Sequence, residues 1–223
     1  MASTRVWRLV LTVCLALALG VAGAGSAGAA EFVGAWPYLV PPVGHFNTYV
    51  TNNLSLGIYW DLTEQPLAMY YWHDGSWEPL LATSWELVPP DRFTVRLRPG
   101  VRWSDGTAFT ARDVIATFDL GWLMNWVVWR YLDRVEAEGD HTVHFYMKRP
   151  STVVPRYVLR EHIRASSQYG GFAERARSLR AAGRTQDSDE VRNLRREFEN
   201  FRPERLVASG PYTIDPASIT EAR

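Results

Sequence analysis

The side chains of this sequence that are best suited to hold a small molecule are aromatic, and they fall into two groups. The first group accompanies prolines and glycines near the N-terminus, and the second surrounds a turn-forming stretch at residues 73–76. Aromatic rings stack on sugars and pack against apolar side chains, while their polar edges form hydrogen bonds. The alternative is that these tryptophans and tyrosines fill a core. The predicted ligand-binding residues are Trp36, Tyr38, His45, Phe46, Asn47 and Trp72.

Motifs for catalysis and for metal binding are weaker than this aromatic pattern. His141 and His144 are spaced as H-x-x-H, but side chains three residues apart on a strand point to opposite faces and share no metal. The sequence contains no Gly-rich phosphate loop, H-E-x-x-H or G-x-S-x-G motif. Glu197 and Glu199 lie in a strongly charged segment, where we expect them to be solvated. We therefore predict no catalytic residue, no metal site and no cofactor, which indicates a protein that is not an enzyme. A secreted carbohydrate-active hydrolase with a carboxylate pair is the alternative.

The charge balance limits the choice of partners. The chain has 24 basic and 24 acidic residues, so its formal net charge is zero. Sequence-independent binding of nucleic acid needs a basic excess on one face. We therefore expect no nucleic-acid partner.

The first thirty residues have the pattern of an export signal. Arg5 and Arg8 precede an apolar run at residues 9–19, and the small residues 27–29 fit a signal peptidase site. The run is shorter than the roughly 20 residues that span a bilayer, which disfavours a membrane anchor. Cys14 lies inside this run and is the only cysteine, so an intramolecular disulfide is excluded. We expect a cleaved signal peptide at residues 1–29 and a periplasmic or extracellular protein.

Strand and helix patterns are mixed along the rest of the chain. Apolar and polar residues alternate at 93–98, which predicts a strand with one buried face. Thr110 and Asp113 predict a capping box at the start of a buried helix. Further predictions are a hairpin of residues 132–137 and 142–147, helices at 153–163, 172–182 and 187–201, and a strand-like segment at 205–214. The predicted class is α/β in the mixed, α+β sense.

Four consecutive sequence blocks resemble one known family. They are PLLATSWE at residues 79–86, FTVRLR at 93–98, GVRWSDG at 100–106 and FTARDV at 109–114, and a GPY step follows at 210–212. In this order they resemble the family 5 extracellular solute-binding proteins of ABC importers. For the residues themselves, the physical interpretation is structural: Asp105 and Gly106 form a turn, Trp103 anchors the core beside it, and Thr110 and Asp113 cap a helix.

The resemblance carries expectations about fold and function. It implies a periplasmic-binding-protein-like type II lobe at residues 30–223, with an inserted subdomain at 51–205. Family members continue past the GPY step into a second lobe, so we expect this chain to be truncated before that lobe. The implied function is capture of an oligosaccharide or peptide solute and its delivery to ABC transporter permease subunits. Residues 45–49, HFNTY, also resemble a stretch of the oligosaccharide-binding members, although Thr48 replaces their proline.

Overall fold

Five helices and six strands form the part of the chain that the computed structural model describes, residues 44–51 and 60–215. This mixed arrangement confirms the predicted class. In chain order the elements are α1 (Trp60–Thr63), β1 (Ala68–Tyr70), β2 (Trp77–Pro79), β3 (Ala82–Val88), β4 (Arg92–Leu97), α2 (Ala111–Leu123), a 3₁₀ turn (Val127–Arg130), β5 (Leu132–Ala137), β6 (Thr142–Met147), α3 (Val154–Leu159), α4 (Ser166–Ala181) and α5 (Asp189–Asn200).

The larger sheet has four antiparallel strands in the order β3-β4-β6-β5. The predicted strand β4 is confirmed, and Phe93, Val95 and Leu97 are all buried. Thr94 on the opposite face is buried as well, so the expected alternation is incomplete. Phe93 pairs with Phe145 of β6, which is also buried. The predicted β5–β6 hairpin is present, and its turn contains Gly139 in the left-handed region at φ 65°, where glycine pays no steric penalty.

Helix α2 packs on this sheet and begins at the predicted capping box. The Thr110 amide donates to Asp113 Oδ2 at 2.8 Å, and the Thr110 side chain accepts from the first-turn backbone. Phe118 of α2 meets Phe145 of the sheet edge to face, with ring centroids 4.9 Å apart. The second Asp113 oxygen accepts the Ser166 amide at 2.7 Å, so one carboxylate joins the N-terminal ends of α2 and α4.

Helices α4 and α5 cover the other side of α2. In α5, Val191, Leu194 and Phe198 form a buried apolar stripe. On the outer side, Arg175 of α4 donates to both oxygens of Glu197 at 2.6 Å. Glu197 is therefore ion-paired rather than simply solvated.

Two predicted boundaries and one predicted element were wrong. The helix expected at 153–163 ends earlier, at Leu159, and the helix expected from 172 begins at Ser166. The strand-like segment at 205–214 contains no strand. Its backbone instead donates to two carbonyls at the end of α1, from Gly210 to Thr63 and from Tyr212 to Leu62. Pro211 in this segment has no amide to donate, which prevents a regular ladder.

Candidate functional site

Residues 44–51 supply one wall of the candidate site, and buried polar contacts fix their position. The Asn47 side-chain amide donates to the Phe198 carbonyl at 2.9 Å, and its oxygen accepts the Tyr49 amide at 3.2 Å. The Tyr169 hydroxyl of α4 donates to the Phe46 carbonyl at 3.0 Å. These contacts tie the segment to α4 and α5, so Thr48 and Tyr49 are presented in a fixed orientation.

Arg164 is the charged group at the centre of the site. It lies between α3 and α4, and only 4% of its side chain is exposed. Its Nε donates to Thr48 Oγ1 at 3.1 Å, and its Nη1 donates to Glu161 Oε1 at 2.9 Å. The backbone of Arg164 is fixed as well, because its amide donates to Thr117 Oγ1 of α2 at 3.0 Å. Arg164 is therefore held through its side chain by Thr48 and Glu161 and through its backbone by Thr117.

A second carboxylate, that of Glu64, lies beside this guanidinium. Glu64 Oε2 is 3.7 Å from Arg164 Nε, and Oε1 accepts the Thr48 hydroxyl at 2.8 Å. Burial raises the pKa of Glu64 above its ordinary value, against the opposing effect of Arg164. Burial also disfavours the charge on Arg164, but the carboxylate of Glu64, together with Tyr49 and Glu161, outweighs it and raises the pKa of Arg164. Arg164 is thus a buried, permanent cation.

Aromatic rings surround the Arg164 guanidinium. Its central carbon lies 4.4 Å from the ring centroid of Tyr49, 5.6 Å from that of Trp126 and 5.8 Å from that of Trp60. Tyr49 and Trp126 are themselves stacked, with centroids 5.9 Å apart. Cations bind to the faces of such rings, most strongly where water is excluded. The rings therefore stabilise the buried charge and hold its orientation.

These groups open onto a cavity of about 490 Å³, which we call the Arg164 cavity. Its size suits a small solute, and a mostly apolar wall with a few oriented polar groups is typical of ligand sites. One wall residue, Asn125, has a left-handed backbone with φ 57°, a conformation that asparagine tolerates better than most residues. The lining residues are Thr48, Tyr49, Trp60, Asn125, Trp126, Val127, Val128, Tyr157, Glu161 and Arg164.

A neighbouring cavity of about 770 Å³ lies on the other side of residues 44–51 and shares Tyr49. His45 and Phe46 line it, together with Arg202. His45 Nδ1 accepts the Asn47 amide at 3.2 Å, so its Nε2 is the atom that donates to the Thr51 carbonyl at 3.0 Å. Burial, and next the positive charge of Arg202, lower the pKa of His45, which favours this neutral form.

The structure separates the ligand-binding residues predicted from the sequence. Trp36 and Tyr38 lie outside the described residues. His45 and Phe46 line the neighbouring cavity, and Asn47 is buried with its side chain bonded to backbone. Trp72 is 68% exposed on the β1–β2 hairpin and lines neither cavity.

Sequence reasoning missed the residues that form the Arg164 cavity. Tyr49 lies two residues after Asn47, the last predicted ligand-binding residue of this segment, and ends the HFNTY stretch at 45–49, so the sequence offered a signal for it. Trp126 lies at helical spacing from Trp122, which predicts a core residue of the buried helix, but the structure places it beyond the end of α2. Arg164 follows a predicted helix without any motif of its own, so no local pattern marked it.

Comparison with known proteins assigns the chain to a family. The model of the bacterial extracellular solute-binding proteins, family 5 middle region, matches residues 76–218. The match covers more than half of the chain, and the chain belongs to this family. A search of curated proteins finds no match.

Solved structures share the fold. A periplasmic oligopeptide-binding protein from Thermotoga maritima, crystallised with mannohexaose, is 26% identical with a TM-score of 0.50, over 70% of this chain and 26% of that one. NikA from Brucella suis with Fe(III)-EDTA is also 26% identical with a TM-score of 0.50, over 60% and 28% of the two chains. A dipeptide-binding protein from Pseudoalteromonas in complex with Met-Leu is 19% identical with a TM-score of 0.51, over 76% and 34%. The chain thus spans about a quarter to a third of the length of these proteins.

The described residues contain neither a membrane-spanning helix nor a metal-binding cluster. None of the helices there is long and apolar enough to cross a membrane. Residues 44–51 and 60–215 also contain no group of three or more His, Cys, Asp or Glu side chains that could hold a metal ion.

Proposed function

We propose that this chain forms part of an extracytoplasmic receptor that captures a small solute for an ABC importer, with the solute in the Arg164 cavity. The observation that carries the proposal is the buried Arg164 guanidinium, which faces an aromatic-walled cavity. Family membership supports the receptor role and the extracytoplasmic location. Export by a cleaved signal peptide at 1–29, the inserted subdomain at 51–205 and delivery to permease subunits are parts of the same proposal.

For the solute we propose an oligosaccharide or a peptide. The faces of Trp60, Trp126 and Tyr157 suit the apolar faces of sugar rings, and the related Thermotoga protein was crystallised with mannohexaose. Arg164 and Glu161 bond to each other at 2.9 Å, and a peptide would replace this contact with its two charged ends, because a guanidinium pairs with a carboxylate and a carboxylate with an ammonium. A neutral sugar uses the rings alone, so the two classes differ in their need for Arg164.

The described residues offer little support for the alternative, a carbohydrate hydrolase. Such an enzyme needs a general acid with a raised pKa that reaches its substrate. Among the described carboxyl groups, the pKa is raised at Glu64 and Asp119, first of all by burial. Both side chains are only 1% exposed and face arginines, Arg164 in one case and Arg177 with Arg180 in the other. Neither carboxyl group is positioned to protonate a bound sugar.

Calorimetric titration with manno-oligosaccharides and with dipeptides and tripeptides tests the proposal. A single lobe supplies only part of the contacts of a two-lobed receptor, so we expect dissociation constants of roughly millimolar order. Tyr157→Ala should weaken binding, because it removes a wall of the cavity, whereas Tyr71→Ala removes an exposed tyrosine elsewhere. Arg164→Lys should weaken peptides much more than sugars, since lysine keeps the charge and loses the planar fork.

Chromatography of the solutes after incubation distinguishes a receptor, which leaves them intact, from a hydrolase, which shortens them. Intact solutes after prolonged incubation are the expected result. Binding that Tyr157→Ala and Tyr71→Ala change equally would place the solute outside the Arg164 cavity, and release of shortened sugars would show an enzyme.

A further inference from the structure

A second surface, which adjoins the Arg164 cavity at Tyr157, combines exposed aromatic rings with arginines. We call it the Trp72 patch, and it consists of Tyr70 and Trp72 from the β1–β2 hairpin with Arg156, Tyr157 and Arg160 from α3 and its C-terminal end. Trp72 and Tyr157 are both exposed. A large exposed tryptophan costs solubility, and tryptophan, tyrosine and arginine are the residues enriched at the energetic centres of protein interfaces.

The arginines of the Trp72 patch are held in place by the aromatic rings. The central guanidinium carbon of Arg156 lies 4.7 Å from the ring centroid of Tyr70 and 5.2 Å from that of Trp72. The corresponding carbon of Arg160 lies 5.3 Å from the Trp72 centroid. Tyr70 supports Trp72 from the side, edge to face, with centroids 4.9 Å apart. Both cations are therefore oriented before any partner arrives.

Neither guanidinium has an anionic partner among the described residues, where Arg156 and Arg160 take part in no ion pair or side-chain hydrogen bond. Glu161, which follows α3 in the chain and lines the same cleft, is bonded to Arg164. On the hairpin, Glu78 accepts the Tyr71 hydroxyl and Asp74 accepts the Ser76 amide. The patch thus presents two forked donors whose natural complements are carboxylates.

A cleft of about 390 Å³ runs between the two arginines, lined by Val153, Arg156, Tyr157, Arg160 and Glu161. Val153 and Tyr157 give it an apolar floor. The combination fits a partner segment in which an apolar side chain enters the cleft and acidic side chains flank it.

We propose that the Trp72 patch docks a protein segment that carries carboxylates on both sides of an apolar side chain. Two alternatives fit the charges less well. Anionic membranes attract clusters of about four to eight basic residues, and the patch has two. Binding to a nucleic-acid backbone relies on a broad basic excess, and this chain has a formal net charge of zero.

The experiment is an NMR titration of the ¹⁵N-labelled chain with the peptide acetyl-Glu-Glu-Phe-Glu-Glu-amide. The signals observed are the indole N–H of Trp72 and the Nε–H of Arg156 and Arg160. We expect chemical-shift changes at these signals that saturate and give a dissociation constant of about 1 mM or lower. We expect no change with the peptide in which glutamine replaces every glutamate. Unperturbed signals throughout the titration would overturn the proposal.

Variants test whether the charge on the patch is the cause. Arg156→Gln combined with Arg160→Gln should weaken the peptide at least tenfold, as should Trp72→Ala alone. The matched control is Arg96→Gln combined with Arg112→Gln, which removes two exposed arginines from β4 and α2 and should leave binding unchanged. Equal loss of peptide affinity in both double variants would show that binding depends only on the net charge of the chain and would overturn the proposal. The proposal would also be overturned if the chain does not bind the peptide but adsorbs to phosphatidylglycerol vesicles through Arg156 and Arg160. The partner of the patch would then be a membrane.

Discussion

The central guanidinium carbon of Arg164 lies 4.4 Å from the ring centroid of Tyr49, although the two residues are separated by more than a hundred positions in the chain. The charge is also flanked by Glu64 and Glu161. A buried cation of this kind is stable only while its partners remain, because an uncompensated charge in a buried site is costly. This dependence leads to the first prediction.

Arg164→Met should destabilise the chain by about 3–5 kcal/mol, the usual cost of removing one partner of a buried ion pair. The variant leaves Glu64 buried without its cation. Adding Glu64→Gln removes that remaining charge and should recover a large part of the loss. Urea unfolding of both variants measures the two effects. A single variant as stable as the parent would mean that the ion pair contributes nothing to the fold.

Asp113 should be unusually sensitive for a helix-capping residue, because its carboxylate serves two helices. Asp113→Ala removes the acceptor of the Thr110 amide, a loss of about 0.5–2 kcal/mol, and also the acceptor of the Ser166 amide, which adds about 1–3 kcal/mol. Asp113→Asn keeps one oxygen and should cost less. Thermal or urea unfolding distinguishes them. Equal losses for alanine and asparagine would contradict the double-cap explanation, and solute affinity per folded molecule should not change in either variant.

The capping box shows which features the sequence could predict. Thr110 and Asp113 are three residues apart, and the β5–β6 hairpin is closed by a short connection at residues 138–141, so both are encoded locally. The strand β4 was predictable for the same reason, from its period of two. The Arg164 site was not predictable, because Thr48, Glu64 and Arg164 meet only after three distant segments have packed. The apolar pattern at 205–214 predicts a strand, but Leu206, Val207 and Ala208 are buried without pairing in a ladder, and the backbone of Gly210 and Tyr212 donates to α1 instead.

Gly210 should tolerate no larger residue. A Cβ atom at this position would lie 2.2 Å from the Leu62 carbonyl oxygen and 2.9 Å from the Thr63 carbonyl carbon, both of which are backbone atoms. Gly210→Ala must therefore displace the GPY step from α1, and we expect a loss of about 2 kcal/mol or more. Gly171→Ala is the matched control, because its Cβ would meet nothing within 4 Å in the middle of α4. That change should stabilise the helix by about 0.5–1 kcal/mol. The prediction fails if both variants melt at the same temperature.

His45 should make stability depend on pH. Its pKa is lowered in the folded state, by burial first and by Arg202 second, so the unfolded chain binds the proton more readily. The resulting stabilisation is fully present above the ordinary value of 6.5 and is lost as pH falls through the lowered pKa. His45→Gln should remove this contribution, whereas the exposed His73→Gln should not. Urea midpoints of the three proteins between about pH 5 and 8 measure it. Parallel curves for His45→Gln and the parent would contradict the prediction.

Gly121 should control the shape of the Arg164 cavity without contacting the solute. A Cβ atom on Gly121 would lie 2.2 Å from Cε3 of the Trp126 ring, which is closer than any real contact, so the ring must move. Trp126 lines the cavity and stacks on Tyr49, and its displacement should disturb the wall that faces Arg164. We therefore expect Gly121→Ala to weaken solute binding at least tenfold, an effect of about 1.4 kcal/mol, although it removes no group from the cavity. Calorimetric titration gives the affinity, and near-ultraviolet circular dichroism reports the movement of the ring. Gly171→Ala serves as the control for a glycine replaced within a helix. A Gly121→Ala variant that binds like the parent, while its tryptophan signal changes, would show that solute binding does not depend on Trp126 and that the solute lies elsewhere on the chain.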